Sequence, residues 1–123
     1  LAVFYRLEFY TPPKSPEGKV TVVDIQNPSN PVQLSQFIAP TTFEYSHFLV
    51  TEDRHLLMSN SVNIVHYDLS DPAHPRFLGA ATPTGWGYDL IEAGGYIYAT
   101  SGTGGLDVFE RSANAAGDSW TMY

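Results

Sequence analysis

One phrase is written twice along this chain and a shortened form of it a third time. Val20-Thr-Val-Val-Asp24-Ile-Gln-Asn-Pro28-Ser-Asn-Pro31 returns as Ile64-Val-His-Tyr-Asp68-Leu-Ser-Asp-Pro72-Ala-His-Pro75, so that Asp24, Pro28 and Pro31 fall on Asp68, Pro72 and Pro75 at one displacement of 44 positions. Leu106-Asp-Val-Phe-Glu110 follows, with Glu110 in the acid position 42 residues after Asp68. An acid that ends an apolar run three times at a period near 40 residues marks a repeat built from one small sheet per unit.

The parts of the phrase explain themselves physically. Val20, Val22, Val23, Ile64, Val65 and Tyr67 are β-branched or aromatic and nearly continuous, which suits strands covered on both faces. Asn27-Pro28 and Asp71-Pro72 break those strands, because Asn and Asp bond their own backbone in turns and proline presets the φ of a turn's second residue. Pro31 and Pro75 stand where the next strand starts and a missing N–H costs least.

On either side of these phrases the chain predicts short strands. Leu1 to Tyr10 alternates strictly, with Leu1, Val3, Tyr5, Leu7 and Phe9 on one face. Thr11 to Gly18 holds three prolines and a glycine and reads as a loop inserted into the first unit. Val32–Ile38, Ser46–Val50, His55–Ser59, the strand opening at Val62, Arg76–Ala81, Tyr88–Glu92, Tyr96–Thr100, Leu106–Glu110 and Ser119–Met122 complete about eleven strands, with no segment of helical period. Gly102-Thr-Gly-Gly105 is a hairpin connection, since no helix follows to offer its N-terminus to a phosphate. Where the third unit should carry two prolines it has Arg111 to Gly117 instead.

Four short antiparallel strands per unit of about 42 residues is the arithmetic of a β-propeller blade. The predicted fold is therefore all-β, about three blades of an incomplete propeller in one segment, with blades near residues 1–39, 43–82 and 86–123. The runs VTVVDIQNPSNPVQLSQF, VNIVHYDLSDPAHPRFLG and GGYIYATSGTGGLDVFE resemble the LVIVD repeats of exported or surface β-propellers of bacteria and archaea, over most of residues 19–110. That resemblance implies a propeller in an extracellular, periplasmic or cell-surface setting and no particular activity, because such repeats serve mostly in interaction and scaffolding. A weaker similarity, to the selenium-binding protein and methanethiol oxidase group, rests on the Asp-Pro-x-x-Pro turns alone. Without cysteine or a histidine pair at matching spacing, it carries no residue over.

Composition narrows the partners. Thirteen acids against six bases leave a net charge of −7 with no Lys/Arg cluster, so the footprint of a nucleic-acid or anionic-membrane binder is missing. No apolar run approaches the roughly 20 residues of a membrane-spanning helix. The absence of cysteine excludes disulfides and thiolate chemistry. A start at Leu1 suggests a processed product or a piece of a longer chain. The partners expected are a protein, further blades of a longer chain, or further copies that complete the ring, with the Leu1–Tyr10 strand as the contact.

Candidate sites are few. His47 and Asp89 align at the displacement of 42 and would meet on adjacent innermost strands at a central channel, with Tyr45, Tyr88 and Trp86 at its rim. One histidine and one aspartate fall short of the three protein ligands of a catalytic zinc site, so no metal or cofactor is assigned. His55 reads as exposed, His74 as turn filler and His66 as a packed histidine bonded to an acid or a carbonyl. Asp24, Asp68 and Glu110 recur once per unit, which suits bonding of turn amides rather than catalysis. The functional expectation is a non-enzymatic interaction or scaffold module, and the alternative is a metal- or small-ligand-binding propeller enzyme using the channel around His47.

Overall fold

Strands form wherever the apolar alternation reaches a neighbour that can complete the hydrogen-bond ladder. A computed structural model of the chain describes residues 1–40, 45, 47–60, 62–85, 87–102, 104–112 and 119–122. These residues are all-β and make three antiparallel sheets, each a simple meander. The first holds β1 (Ala2–Glu8), β2 (Glu17–Asp24) and β3 (Val32–Ile38). The second holds β4 (His47–Val50), β5 (His55–Ser59), β6 (Ile64–Asp68) and β7 (Arg76–Ala81). The third holds β8 (Gly87–Ala93), β9 (Tyr96–Ser101), β10 (Gly105–Ser112) and β11 (Ser119–Met122). Among the described residues no helix is long and apolar enough to cross a membrane.

Several strand boundaries differ from the sequence expectation, and at two of them the side chains nearby show why. Glu17 and Gly18, read as loop, belong to β2 opposite Glu8 and Leu7. Gly18 is there because the Tyr5 ring lies across it: a Cβ would sit 2.5 Å from the Tyr5 hydroxyl oxygen. The strand expected from Val62 starts at Ile64, because Asn60 Oδ1 accepts the N–H groups of Val62 and Asn63 at 2.8 Å each and holds a tight turn. Arg111 and Ser112 extend β10, whereas the rest of the expected Arg111–Gly117 loop lies outside the described residues.

The repeat survives down to single bonds. Asp24 Oδ1 accepts the Gln26 amide at 2.9 Å, and Asp68 Oδ1 accepts the Ser70 amide at 2.8 Å. Asn27 Oδ1 takes the Ser29 amide and Asp71 Oδ1 the Ala73 amide, both at 3.1 Å. The Asn30 and His74 amides then close the same turn onto the carbonyls of Asn27 and Asp71 at 3.0 Å. Pro28 and Pro72 sit inside these turns, and Pro31 and Pro75 directly precede β3 and β7. The register breaks at corresponding points too. Between Val22 and Val23 the partners step from Ser35 to Gln33, and between His66 and Tyr67 they step from Gly79 to Phe77. A bulge so placed bends both strand pairs alike.

The second sheet is covered on both faces, which is why its strands read as continuous apolar runs. Leu56, Met58, Val65 and Tyr67 pack against Val20 and Val22 of the first sheet, joined by Val3, Tyr5 and Phe37. Leu57 and Ile64 pack against Leu90, Ile97, Ala99 and Phe109 of the third. Each buried Val, Leu, Ile or Phe side chain contributes about 1.5–3 kcal/mol of transfer free energy. Polar contacts pin the same stack: Ser35 Oγ donates to the Pro72 carbonyl at 2.6 Å, and Thr84 donates its amide and hydroxyl to the two carboxylate oxygens of Asp107 at 2.8 and 2.6 Å.

Candidate functional site

The channel candidates are brought to equivalent places but not to one face. His47 stands opposite Ser59 and Asp89 opposite Thr100, so the register puts them at the same step of the first strands of their sheets. β4 and β8 also approach each other. His47 shares its face with Leu49, which packs toward the third sheet, whereas Asp89 shares its face with the 57% exposed Ile91, opposite in parity to the buried Leu90. A period of two therefore turns Asp89 away from the second sheet, with β8 lying between the two side chains. Tyr45, expected at the rim, is 2% exposed in the first core, with its ring edge-on to Tyr5 at 5.7 Å. Trp86 and the side chain of Tyr88 lie outside the described residues. Among the described residues no group of three or more His, Cys, Asp or Glu side chains could hold a metal.

A pairing the sequence did not announce lies one strand over. His55 Nδ1 and His66 Nε2 are 2.7 Å apart with their ring centroids at 4.8 Å, so one ring donates an N–H and the other accepts it. His66 is wholly buried. His55, read as exposed, has a side chain only 15% accessible, with Asp53 Oδ2 at 3.8 Å from its Nε2. The expected partner of His66, an acid or a carbonyl, is thus a second imidazole. The register explains the meeting: Leu57 is opposite His66 and His55 opposite Asp68, so His55 reaches its partner along the diagonal of one sheet face. Nothing in the spacing of 11 residues signals it, and only the strand pairing could have found it. Beside this pair the β4–β5 turn (Glu52, Asp53) and the β8–β9 turn (Gly94, Gly95) line an acidic cleft with Glu92.

Asp68 and Asp71 are held as ions by the bonds of their turn. Hydrogen bonds from the Ser70 hydroxyl and amide, helped by Arg76 at 3.0 Å, bring the Asp68 carboxyl down to about 2. His74 at 2.9 Å lowers Asp71 in the same sense. In the third sheet Asp107, 5% exposed, accepts both the amide and the hydroxyl of Thr84. At the far end of β1 the Lys19 ammonium, with Tyr10 and Arg6, brings Glu8 to about 2.

Apolar surface remains on the outer faces of the stack. Phe4 on the first sheet is 59% exposed, and Ile91 and Leu106 on the third are 57% and 55% exposed. No protein-family model matches the chain, and neither a curated protein nor a solved structure matches it.

Proposed function

We propose that this chain is a segment of an LVIVD-type β-propeller, each sheet a blade, that works as a protein-interaction or scaffold module in an exported, periplasmic or cell-surface assembly. The observation that carries the reading is the stack itself: three sheets packed face on face through one repeated set of positions, with large apolar side chains left on both outer faces. Apolar side chains left outside the two cores support contact with another protein. The repeated aspartates spend their oxygens on turn amides, which is scaffold work.

In the source organism, cross-linking from a photoreactive residue placed at Tyr98, on the outer face of the third sheet, tests the proposal. Capture of one defined protein by the parent sequence, and its loss when Leu106→Asp is added, is the expected result. Cross-links that the charge leaves unchanged count against the module. Elemental analysis of the purified chain supplies the opposing arm: stoichiometric copper, zinc or iron that disappears in His47→Ala would replace this reading with a metal-binding propeller.

A further inference from the structure

The second sheet carries two imidazoles at places where the other sheets carry none. Strand pairing lets the sheets be compared position by position: His66 stands where the first sheet has Val22 and the third has Val108. His55, opposite Asp68, stands where the third sheet has Tyr96, opposite Glu110. The fold therefore does not need a histidine at position 66, since a valine holds the same place in both other sheets.

Both rings lie in the seam between the second and third sheets. His55 shares one face of β5 with Leu57, and His66 shares one face of β6 with Ile64. Leu57 and Ile64 on that face pack against Leu90, Ile97, Ala99 and Phe109 of the third sheet. His66 is 0% exposed, and the Nδ1 of His55 meets its Nε2 at 2.7 Å.

The charged neighbours gather at the His55 end. Asp53 in the β4–β5 turn has its Oδ2 3.8 Å from His55 Nε2, and Arg54 directly precedes His55. Asp68, across from His55 on β6, is tied to Arg76 of β7 at 3.0 Å. From the third sheet Glu92, on the same face of β8 as the buried Leu90, shares a cleft with Glu52 and Asp53. The other titratable groups on the two seam faces are His47, at the far end of β4, and Asp107, bonded by Thr84. A first proton on the pair thus finds carboxylates beside it. A second finds a clash, because an N–H of one ring would point at an N–H of the other across 2.7 Å, and two donors do not keep that distance.

We propose that the His55–His66 pair is a proton-operated latch on the seam between the second and third sheets, closed while the rings share a proton and opened when each carries its own. An imidazole in an opened or unfolded chain titrates near about pH 6.5. Below that pH the opened state binds one proton more than the closed one, so opening gains roughly ten-fold per pH unit as pH falls; above it the latch stays closed. The latch acts on an inner seam and does not depend on what meets the outer faces.

Amide exchange of the purified chain between about pH 7 and pH 5, referred to the intrinsic rate at each pH, tests it, because histidine is the side chain whose ordinary titration falls in that window. Protection in β9 and β10 should fall roughly ten-fold per pH unit below about pH 6 while β2 keeps its own. His66→Val, which installs the residue of the other two sheets, should flatten that response. A flat response in the parent, an equal loss in β2, or the same slope in His66→Val overturns the proposal. Nitrogen NMR of the parent's imidazoles gives a reading that needs no variant. His55 and His66 should take up one proton between them while β9 and β10 stay protected, and the second only as that protection is lost. Two fully protonated rings within a protected seam would overturn the latch.

Discussion

Arg54 sits in the left-handed region at φ 64° directly before β5, and Gly95 at φ 83° stands directly before β9, at the end of a shorter turn. Both positions immediately precede the returning strand, so the turn geometry is imposed by the hairpin and only the third repeat carries the residue suited to it. Arg54→Gly should raise stability by about 1 kcal/mol, read as a higher urea midpoint; an unchanged or lower midpoint would show that the Arg54 side chain offsets the strain. Asp68 works the other way. Its carboxylate holds the turn amide and Arg76, both solvent-exposed, and Asp68→Ala should cost about 0.5–1.5 kcal/mol by removing those hydrogen bonds. Because the folded state lowers this carboxyl from its ordinary 3.8 to about 2, its contribution is complete above pH 4 and is lost as pH falls toward 2. Stability of the parent should therefore drop through that window more steeply than stability of Asp68→Ala. Parallel acid titrations would sink the assignment.

At the scale of the element, legibility followed the range of the interaction. β3, β5, β7 and β11 begin and end where alternation and turn residues put them, because period-two patterning and Asn/Asp-Pro chemistry are local. Of the boundaries that moved, one depends on a ring remote in sequence and one on a nearby side chain that alternation does not register. Gly18 joins a strand because the Tyr5 ring passes over it from β1, and the Val62 strand is cut short by the carboxamide of Asn60. The candidate site follows the same rule. His47 and Asp89 are at equivalent steps, as the displacement of 42 implies, but equivalence under a repeat means the same face of successive sheets, and that separates side chains instead of joining them. His55 and His66 meet because antiparallel pairing brings positions 55 and 66 onto one diagonal, a fact of register that no spacing rule contains. His55→Ala should cost about 1–3 kcal/mol, since it removes the ring against a wholly buried Nε2. Were the loss no greater than for an exposed residue such as His74→Ala, the pair would have no structural weight.

For the whole molecule, the second sheet is the only described one gripped from both sides, and adjacent residues of β5 serve different cores. Leu56 packs with Val20 and Val22 of the first sheet, while Leu57 packs with Ile97 and Phe109 of the third. In a stack where each unit touches only its neighbours, stability is approximately the sum of sheet terms and interface terms, so damage should stay near the interface that suffers it. Truncating either leucine creates a cavity costing about 2–5 kcal/mol, yet the two losses should appear in different places. Leu57→Ala should speed amide exchange in β9 and β10 and leave β2 protected, whereas Leu56→Ala should speed exchange in β2 and leave β9 and β10 protected. The contrast is sharp because the two side chains are successive in sequence, equally buried and of one type, and differ only in the face they supply. Exchange that rises equally in the first and third sheets for both variants would mean that the stack opens as one unit, and the nearest-neighbour account of this molecule would be wrong.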